Sequence, residues 1–465
     1  MTTKAIRPDP ATSATLGTGG TGGTGDAALA ETEVGSVFVS NYPPYSFWNE
    51  GDIPAAVEML HRPPEGEVPH LGLYLHIPFC RKRCKFCYFR VYVDKNAAQI
   101  QSYLEALSGE VEMYSGMERI DGRALDFVYF GGGTPSYISA RHLKGLASTL
   151  QDSLSWDRAR EVAFECEPGT LTQAKLEAIK EIGVTRLSLG VENLSDEILR
   201  ENGRAHVSKE VYRVVPWIRE LAFQWWNVDL IAGMVGETWE LWKDTVARTI
   251  ELDADSITVY QMELPHNTVY SKGLTEEGEG SRPLVADWQT KREWHQYAFD
   301  EFGAAGYRAS SAYTMVKAGT GSAFLYRDAL WRGSEMIGAG VSSVSYVGGV
   351  HYQNSPSWDG YLSSLKEGEL PLSRALVTTP EERLTRELIL QLKLGRIHAD
   401  YFADRHGADI FELYADAFAT LEREGMAKVR GEGEREVELT ARGLLRVDQL
   451  LPSFYASEHR NARYT

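Results

Sequence analysis

Between Leu71 and Gln261 short apolar runs alternate with amphipathic segments, and this rhythm constrains the fold more than any other feature of the 465-residue chain. Strand-length runs separated by helix-length segments predict successive β-α units around a parallel sheet. The predicted strands are Leu71–Ile77, Leu125–Phe130, Glu161–Cys166, Thr185–Gly190, Trp226–Ile231 and Ser256–Gln261. Between the first two, Ile100, Tyr103, Leu104, Leu107, Val111 and Tyr114 fall on one apolar helix face. Leu171, Leu176, Ile179 and Ile182 repeat the pattern, and Gly183 supplies a residue able to end that helix in a left-handed conformation. Six such units predict an α/β fold, a partial (βα)6 TIM-like barrel, whose chemistry gathers at the carboxyl ends of the strands.

The flanks differ from this middle. Residues 1–35 are rich in Gly, Thr and Ala, bury too little to offset ordering entropy, and are expected to form a flexible tail. Residues 36–375 are expected to form the catalytic domain, with an aromatic, Pro-rich lead-in (Val37–His70) that either packs on that domain or covers its site. Past Arg282 a helix is predicted at Trp288–Phe302, a strand at Tyr307–Tyr313, and a sheet edge with tight turns at Trp331–Asn354. Residues 376–465 shift to Glu, Arg, Leu and Ala. They predict helices near Glu381–Leu394, Ile397–His406 and Ile410–Glu424, a two-stranded segment at Ala427–Leu439 and a last helix from Thr440, an order resembling a winged-helix module. Against 65 acidic residues stand 48 basic ones, so the net charge of −17 opposes binding to nucleic acid or anionic lipid. With no apolar run long enough to span a bilayer, the sequence predicts a soluble cytoplasmic protein that binds neither membrane nor nucleic acid.

Three of the four cysteines, Cys80, Cys84 and Cys87, sit on one loop just past the first strand and Pro78. So tight a cluster cannot staple a large fold, and structural zinc usually takes four Cys or His ligands as spaced pairs, with no second such pair nearby. The spare thiol, Cys166, alternates with Val162 and Phe164 on one strand face and reads as a small buried hydrophobe. Three thiolates on a cubane leave one iron free to chelate a small molecule. Gly131-Gly-Gly-Thr-Pro135 follows the second strand, where missing side chains let backbone approach a ligand closely. Glu165, in Phe164-Glu-Cys-Glu-Pro168, is an acid on an apolar strand and needs hydrogen-bond donors.

The C-x3-C-x2-C spacing within Tyr74-Leu-His-Ile-Pro-Phe-Cys80 and the residues after it resembles the radical S-adenosylmethionine superfamily. From about residue 70 to 450 the chain is similar to the oxygen-independent coproporphyrinogen III oxidase branch. The resemblance implies a 4Fe-4S cluster on Cys80, Cys84 and Cys87, with S-adenosylmethionine on its open iron. It implies Gly132 near the methionyl amine, and Tyr74, Glu165 and Val344 around that first cofactor. A second S-adenosylmethionine is implied at Phe86, Gly133, Thr134, Glu192, Arg204 and Asp229. Glu192 stands where the family usually has Gln, so it serves either as a ligand or as the ion-pair partner of Arg204. Lys82, Arg83 and Lys85 either offset cluster charge or form a solvated basic loop.

The family's oxidase resembles Cys-Gly-Cys after the cluster, whereas this chain reads Cys87-Tyr-Phe-Arg90. A heme chaperone of the branch carries His-Asn-x-x-Tyr-Trp, where this chain reads Tyr326-Arg-Asp-Ala-Leu-Trp331. These departures point toward the branch's methyltransferases and cyclopropanases. The expected reaction is then transfer of a methyl or methylene carbon from the second S-adenosylmethionine to an sp2 carbon of an aromatic small molecule. Oxidation of coproporphyrinogen III and heme binding stand as the alternatives. Trp225, Trp226, Tyr260, Tyr313 and Trp331 are a candidate substrate wall, and His76, Glu263 and His266 are candidate proton carriers by position. Expected partners are the aromatic substrate, an electron donor such as flavodoxin or ferredoxin, and a partner methyltransferase.

Overall fold

The computed structural model describes residues 38–460 apart from 67, 265–267, 271–284, 323 and 432, so the expected tail and His266 lie outside the described residues. Strands β1 (Leu71–Ile77), β2 (Phe127–Gly132), β3 (Glu161–Cys166), β4 (Arg186–Glu192), β5 (Trp225–Ala232) and β6 (Ser256–Gln261) follow the predicted rhythm. Each pairs in parallel with the next. Local chemistry sets the helix between them. Asn96 and Gln99 form a reciprocal capping box that starts Ala97–Ser115, and the helix buries the predicted face from Ile100 to Tyr114. Thr172 caps Gln173–Glu181, and Gly183 follows at φ 91.

Six further strands extend the sheet: β7 (Tyr307–Ala309), β8 (Thr314–Lys317), β9 (Glu335–Ala339), β10 (Val344–Val347), β11 (Val350–Asn354) and β12 (Leu372–Val377). The order is β12-β11-β10-β9-β1-β2-β3-β4-β5-β6-β8-β7. The architecture is the expected partial barrel, widened at both ends by antiparallel strands. Two local expectations change. The stretch expected at a sheet edge contains β9, which pairs in parallel with β1 in mid-sheet. Its Gly338 is there because Val344 backbone lies 2.3 Å from where a Cβ would stand, a close approach that also reads as a turn in sequence. The strand expected at Tyr307–Tyr313 instead ends at Ala309 as β7, and the chain turns back into β8 through Ser310 and Ser311, which hydrogen-bond to Thr314.

The β-α core is continuous from Leu71 to Ala375. One ion pair lies inside it: Arg186 Nε donates to Glu161 Oε2 at 2.9 Å, and neither side chain is more than 2% exposed. The C-terminal helices Pro380–Leu392, Ala399–His406 and Ala415–Arg423 build a second core around Leu388, Phe402 and Phe418. Three short antiparallel strands, Arg396–His398, Ala427–Arg430 and Glu436–Leu439, border it, one more than the sequence predicts. Val39 and Tyr42 belong to this second core, and Asn41 accepts from Arg386 Nε at 3.0 Å. The lead-in is therefore fastened to the C-terminal helices.

Candidate active site

One cavity of about 410 Å³ opens at the carboxyl ends of β1–β6, the size of a small-molecule site. Its lining brings together Cys80, Cys84, Cys87, Phe86, Gly132, Gly133, Thr134, Glu165, Glu192, Arg204, Asp229 and Glu263 from the sequence-predicted set. Strand alternation explains the convergence, since Ser188 and Gly190 on β4 and Asp229 and Ile231 on β5 point to the same side. Tyr74, His76 and Val344 are placed behind this lining. The Tyr74 hydroxyl is 3.1 Å from His76 Nδ1, and its ring stacks on Tyr129 at 6.0 Å. His76 Nε2 lies 3.3 Å from Arg90 O, and burial lowers its pKa to about 4, which favours the neutral ring. Val344 packs its backbone against Gly338.

The three thiols are free, partly exposed and face this space. Thr134 Oγ1 donates to Cys80 Sγ at 3.3 Å, and Arg204 Nη1 donates to Cys84 Sγ at 3.3 Å. Burial pushes the Cys80 thiol up to about 11 and the Cys87 thiol up to about 12, which disfavours both thiolates in the ligand-free protein. Among the described residues no three His, Cys, Asp or Glu side chains converge as one metal ion would require. The ligands of a cubane sit on different irons, so a spread triplet suits a cluster. Cys166 lies in the β-α core, bordered by Ser136 and Lys175.

Beside the thiols two glycines let the cavity wall pack closely on β1 and the start of the cysteine loop. Gly132 has φ 105, and a Cβ there would stand 2.5 Å from the His76 ring. A Cβ on Gly133 would meet Ile77 O at 2.8 Å. Glu165 is held by Tyr129, whose hydroxyl donates to Oε1 at 2.6 Å, and by Gly132 N, which donates to Oε2 at 3.2 Å. Asp229 accepts from Ser188 Oγ at 2.6 Å and Asn227 Nδ2 at 2.8 Å. Glu192 adopts φ 62 in a β4 bulge and lies 3.5 Å from Arg204. Arg204 also donates to Gly190 O at 2.8 Å and leaves a buried Nε without a partner. Burial raises Glu165 and Glu192 to about 7 and Asp229 to about 6. Three carboxyls disfavoured as anions, next to a spare guanidinium donor, match a ligand that carries ammonium, carboxylate and hydroxyl groups. The residues thus fit a cluster with S-adenosylmethionine.

The far end of the cavity is aromatic and lies against the C-terminal core. Phe38, Tyr88, Phe89, Tyr260, Trp288 and Tyr313 line it. Of the predicted substrate wall only Tyr260 and Tyr313 face the cavity; Trp225 packs over Arg186, Trp226 lies in the β-α core and Trp331 in the C-terminal one. Phe38 N donates to Glu263 Oε1 at 2.9 Å and Val39 N to Asp448 Oδ1 at 3.1 Å. Lys393 Nζ is fully buried and pairs with Asp448 at 2.8 Å. Burial, reinforced by Asp448, raises Glu263 to about 8. Of the basic loop, Lys82 and Arg83 line the cavity, while Lys85 pairs with Glu201 at 3.0 Å. Sequence reasoning missed Tyr129, Glu167, Phe38 and Asp448. Glu167 alone carried a signal, being the second acid of Glu165-Cys-Glu167; it meets His206 Nδ1 at 2.9 Å and Arg81 at 3.3 Å.

Residues 74–248, which span β1 to the helix after β5, match the Radical SAM superfamily. Together with the thiol triplet and glycine cradle, this match makes the stretch from β1 to the helix after β5 similar to radical SAM proteins. Along most of its length the chain is similar to the oxygen-independent coproporphyrinogen III oxidases and heme chaperones. The heme chaperone HemW of Bacillus subtilis is 28% identical over 384 residues, covering 82% of this chain and 98% of that protein. The oxygen-independent coproporphyrinogen III oxidase of Pseudomonas aeruginosa is 26% identical over 412 residues, covering 82% of this chain and 86% of that protein. The structure of coproporphyrinogen III oxidase from Escherichia coli superposes with a TM-score of 0.76 at 23% identity, covering 90% of this chain and 96% of that one, which shows a shared fold. These relatives overturn the expected methyl or methylene transfer to an aromatic sp2 carbon, since the full-length matches are oxidases and heme chaperones. That expectation leaned on Cys87-Tyr-Phe-Arg90 and Tyr326–Trp331, two short departures outweighed by likeness along most of the chain. Among the described residues no helix is long and apolar enough to cross a membrane.

Proposed function

We propose that this chain is a radical SAM oxidoreductase acting on a porphyrinogen, and that it begins the oxidative decarboxylation of a propionate side chain. The observation that carries the reading is the single cavity in which the thiol triplet, the glycine cradle and the Glu165–Glu192–Asp229 carboxyls meet an aromatic chamber. Likeness to coproporphyrinogen III oxidases over more than four-fifths of the chain supports it.

A bound 4Fe-4S cluster with S-adenosylmethionine supplies a 5′-deoxyadenosyl radical, the acceptor of a hydrogen atom. The chain's own residues do the placing. Cys80, Cys84 and Cys87 hold the cluster. Gly132 and Gly133 admit the cofactor's methionyl end, and Glu165, fixed by Tyr129, takes ribose hydroxyls. Arg204, Glu192 and Asp229 hold a second amino-acid-bearing nucleotide. The C-terminal core and the Phe38 segment exclude water, which protects a reactive radical. Loss of one hydrogen atom, one electron and carbon dioxide turns a propionate into a vinyl group, with an external acceptor taking the electron. Glu263, whose carboxyl burial raises to about 8, lines the chamber and is the candidate proton carrier there.

Anaerobically reconstituted protein, reductant, S-adenosylmethionine and coproporphyrinogen III test this. Vinyl-bearing product with equimolar carbon dioxide supports it; 5′-deoxyadenosine without any change in the tetrapyrrole refutes it. The likeness to HemW over nearly that protein's whole length favours a second reading, heme binding. Stoichiometric heme uptake without porphyrinogen turnover decides for it.

A further inference from the structure

We propose that Tyr260 is the residue on which the substrate ring rests, so that the β6 end is the specificity-determining wall of the chamber. In the parallel register Asp229 faces Thr258, and Ile231 faces Tyr260 one step nearer the mouth. Thr258 is buried and donates to Asn227 at 3.2 Å, which leaves Tyr260 as the last inward side chain of β6. A large aromatic there would ordinarily be covered, yet Tyr260 is 40% exposed, and that surface belongs to the cavity wall.

Its neighbours make a ring site. Tyr313 lies parallel to it at 6.3 Å, and Phe38 meets it edge-on at 6.3 Å and Tyr313 at 5.2 Å. Rings so arranged leave an open π face toward the cavity, suited to a pyrrole-sized aromatic ring. The Tyr260 hydroxyl has no hydrogen-bond partner among the described residues. Burial, with Asp229, Glu165, Tyr88 and Glu192 around it, keeps the phenol protonated, so it is a standing donor between the cofactor carboxyls and the chamber. Tyr260 therefore borders both halves of the cavity, which is where a substrate side chain must lie to meet a radical formed at the cofactor end.

The choice of a tetrapyrrole as probe rests on the proposed function; the ring site does not. Reconstituted holoenzyme, Tyr260→Leu and Tyr260→Phe are titrated with coproporphyrin III and, separately, with the aromatic dye 8-anilinonaphthalene-1-sulfonate. Leucine keeps the bulk of the wall and removes the π face, so it should weaken binding by about tenfold. Phenylalanine should stay within about threefold of the parent. Both variants should keep the parent's change in cluster spectrum on addition of S-adenosylmethionine. Unchanged binding by Tyr260→Leu, or loss of that spectral response, overturns the assignment. A parent that binds the dye but no tetrapyrrole refutes the porphyrinogen reading and leaves Tyr260 to be judged on the dye. A parent that binds neither refutes both.

Discussion

Replacing Glu192 by Gln should make the ligand-free protein more stable at alkaline pH and leave it little changed under mild acid. The side chain is 14% exposed, 3.5 Å from Arg204, and carried on a residue at φ 62. Burial, reinforced by Asp229 and opposed by Arg204, lifts its carboxyl from 4.5 to about 7. The folded chain thus binds this proton more tightly than the unfolded chain. The penalty is absent well below the unfolded value, grows as pH rises past it, and is complete above the folded one. That interval corresponds to roughly 3 kcal/mol, of which most develops between about pH 5 and pH 8. Glutamine has the same shape and no charge, so the gain of Glu192→Gln over the parent should be roughly 2–3 kcal/mol larger at pH 8 than at pH 5. Any fixed cost of seating the amide beside Arg204 cancels in that difference. Urea unfolding of both proteins at the two pH values and constant ionic strength measures it. A gain that is equal at both, or smaller at pH 8, refutes the electrostatic account of this corner.

Gly133→Ala should weaken S-adenosylmethionine binding by about tenfold or more, because the new methyl meets Ile77 O at 2.8 Å and Pro78 C at 2.9 Å and must shift the cradle together with the backbone leading to Cys80. Equilibrium binding to reconstituted protein checks it; an unchanged affinity contradicts the cradle. Glu161→Gln should cost about 3–5 kcal/mol in denaturant unfolding, since it removes the anion opposite Arg186 in a core where the pair is at most 2% exposed. Glu161 also accepts from Tyr326 N at 3.1 Å, so a neutral result would mean that this anchor of the Leu325–Trp331 helix carries no stability.

The β-α rhythm was legible because each strand, packed on both faces, is a short run rich in apolar residues. The six predicted strands match β1–β6 to within two residues at either end. β9 was not, since Gly338 and Gly340 within Glu335–Gly340 make room for neighbouring backbone and read locally as turns. The cofactor end was readable because cysteine spacing and consecutive glycines are written contiguously. The chamber was not, because it joins Phe38, Tyr260, Tyr313 and Asp448 across more than four hundred residues. Only folding shows that Phe38 and Glu263 share a hydrogen bond while Trp225 and Trp331 turn away. The choice of reaction went astray for the same reason, resting on two short motifs rather than on the chamber as a whole.

The most direct test is electron paramagnetic resonance of the anaerobically reconstituted, reduced protein, with iron counted in the same sample. The account predicts about four irons per chain, lost on replacing any of Cys80, Cys84 or Cys87 by Ala, and a resonance that changes when S-adenosylmethionine is added. Stoichiometric zinc in place of iron, or a cluster whose resonance is the same with and without the sulfonium, contradicts it.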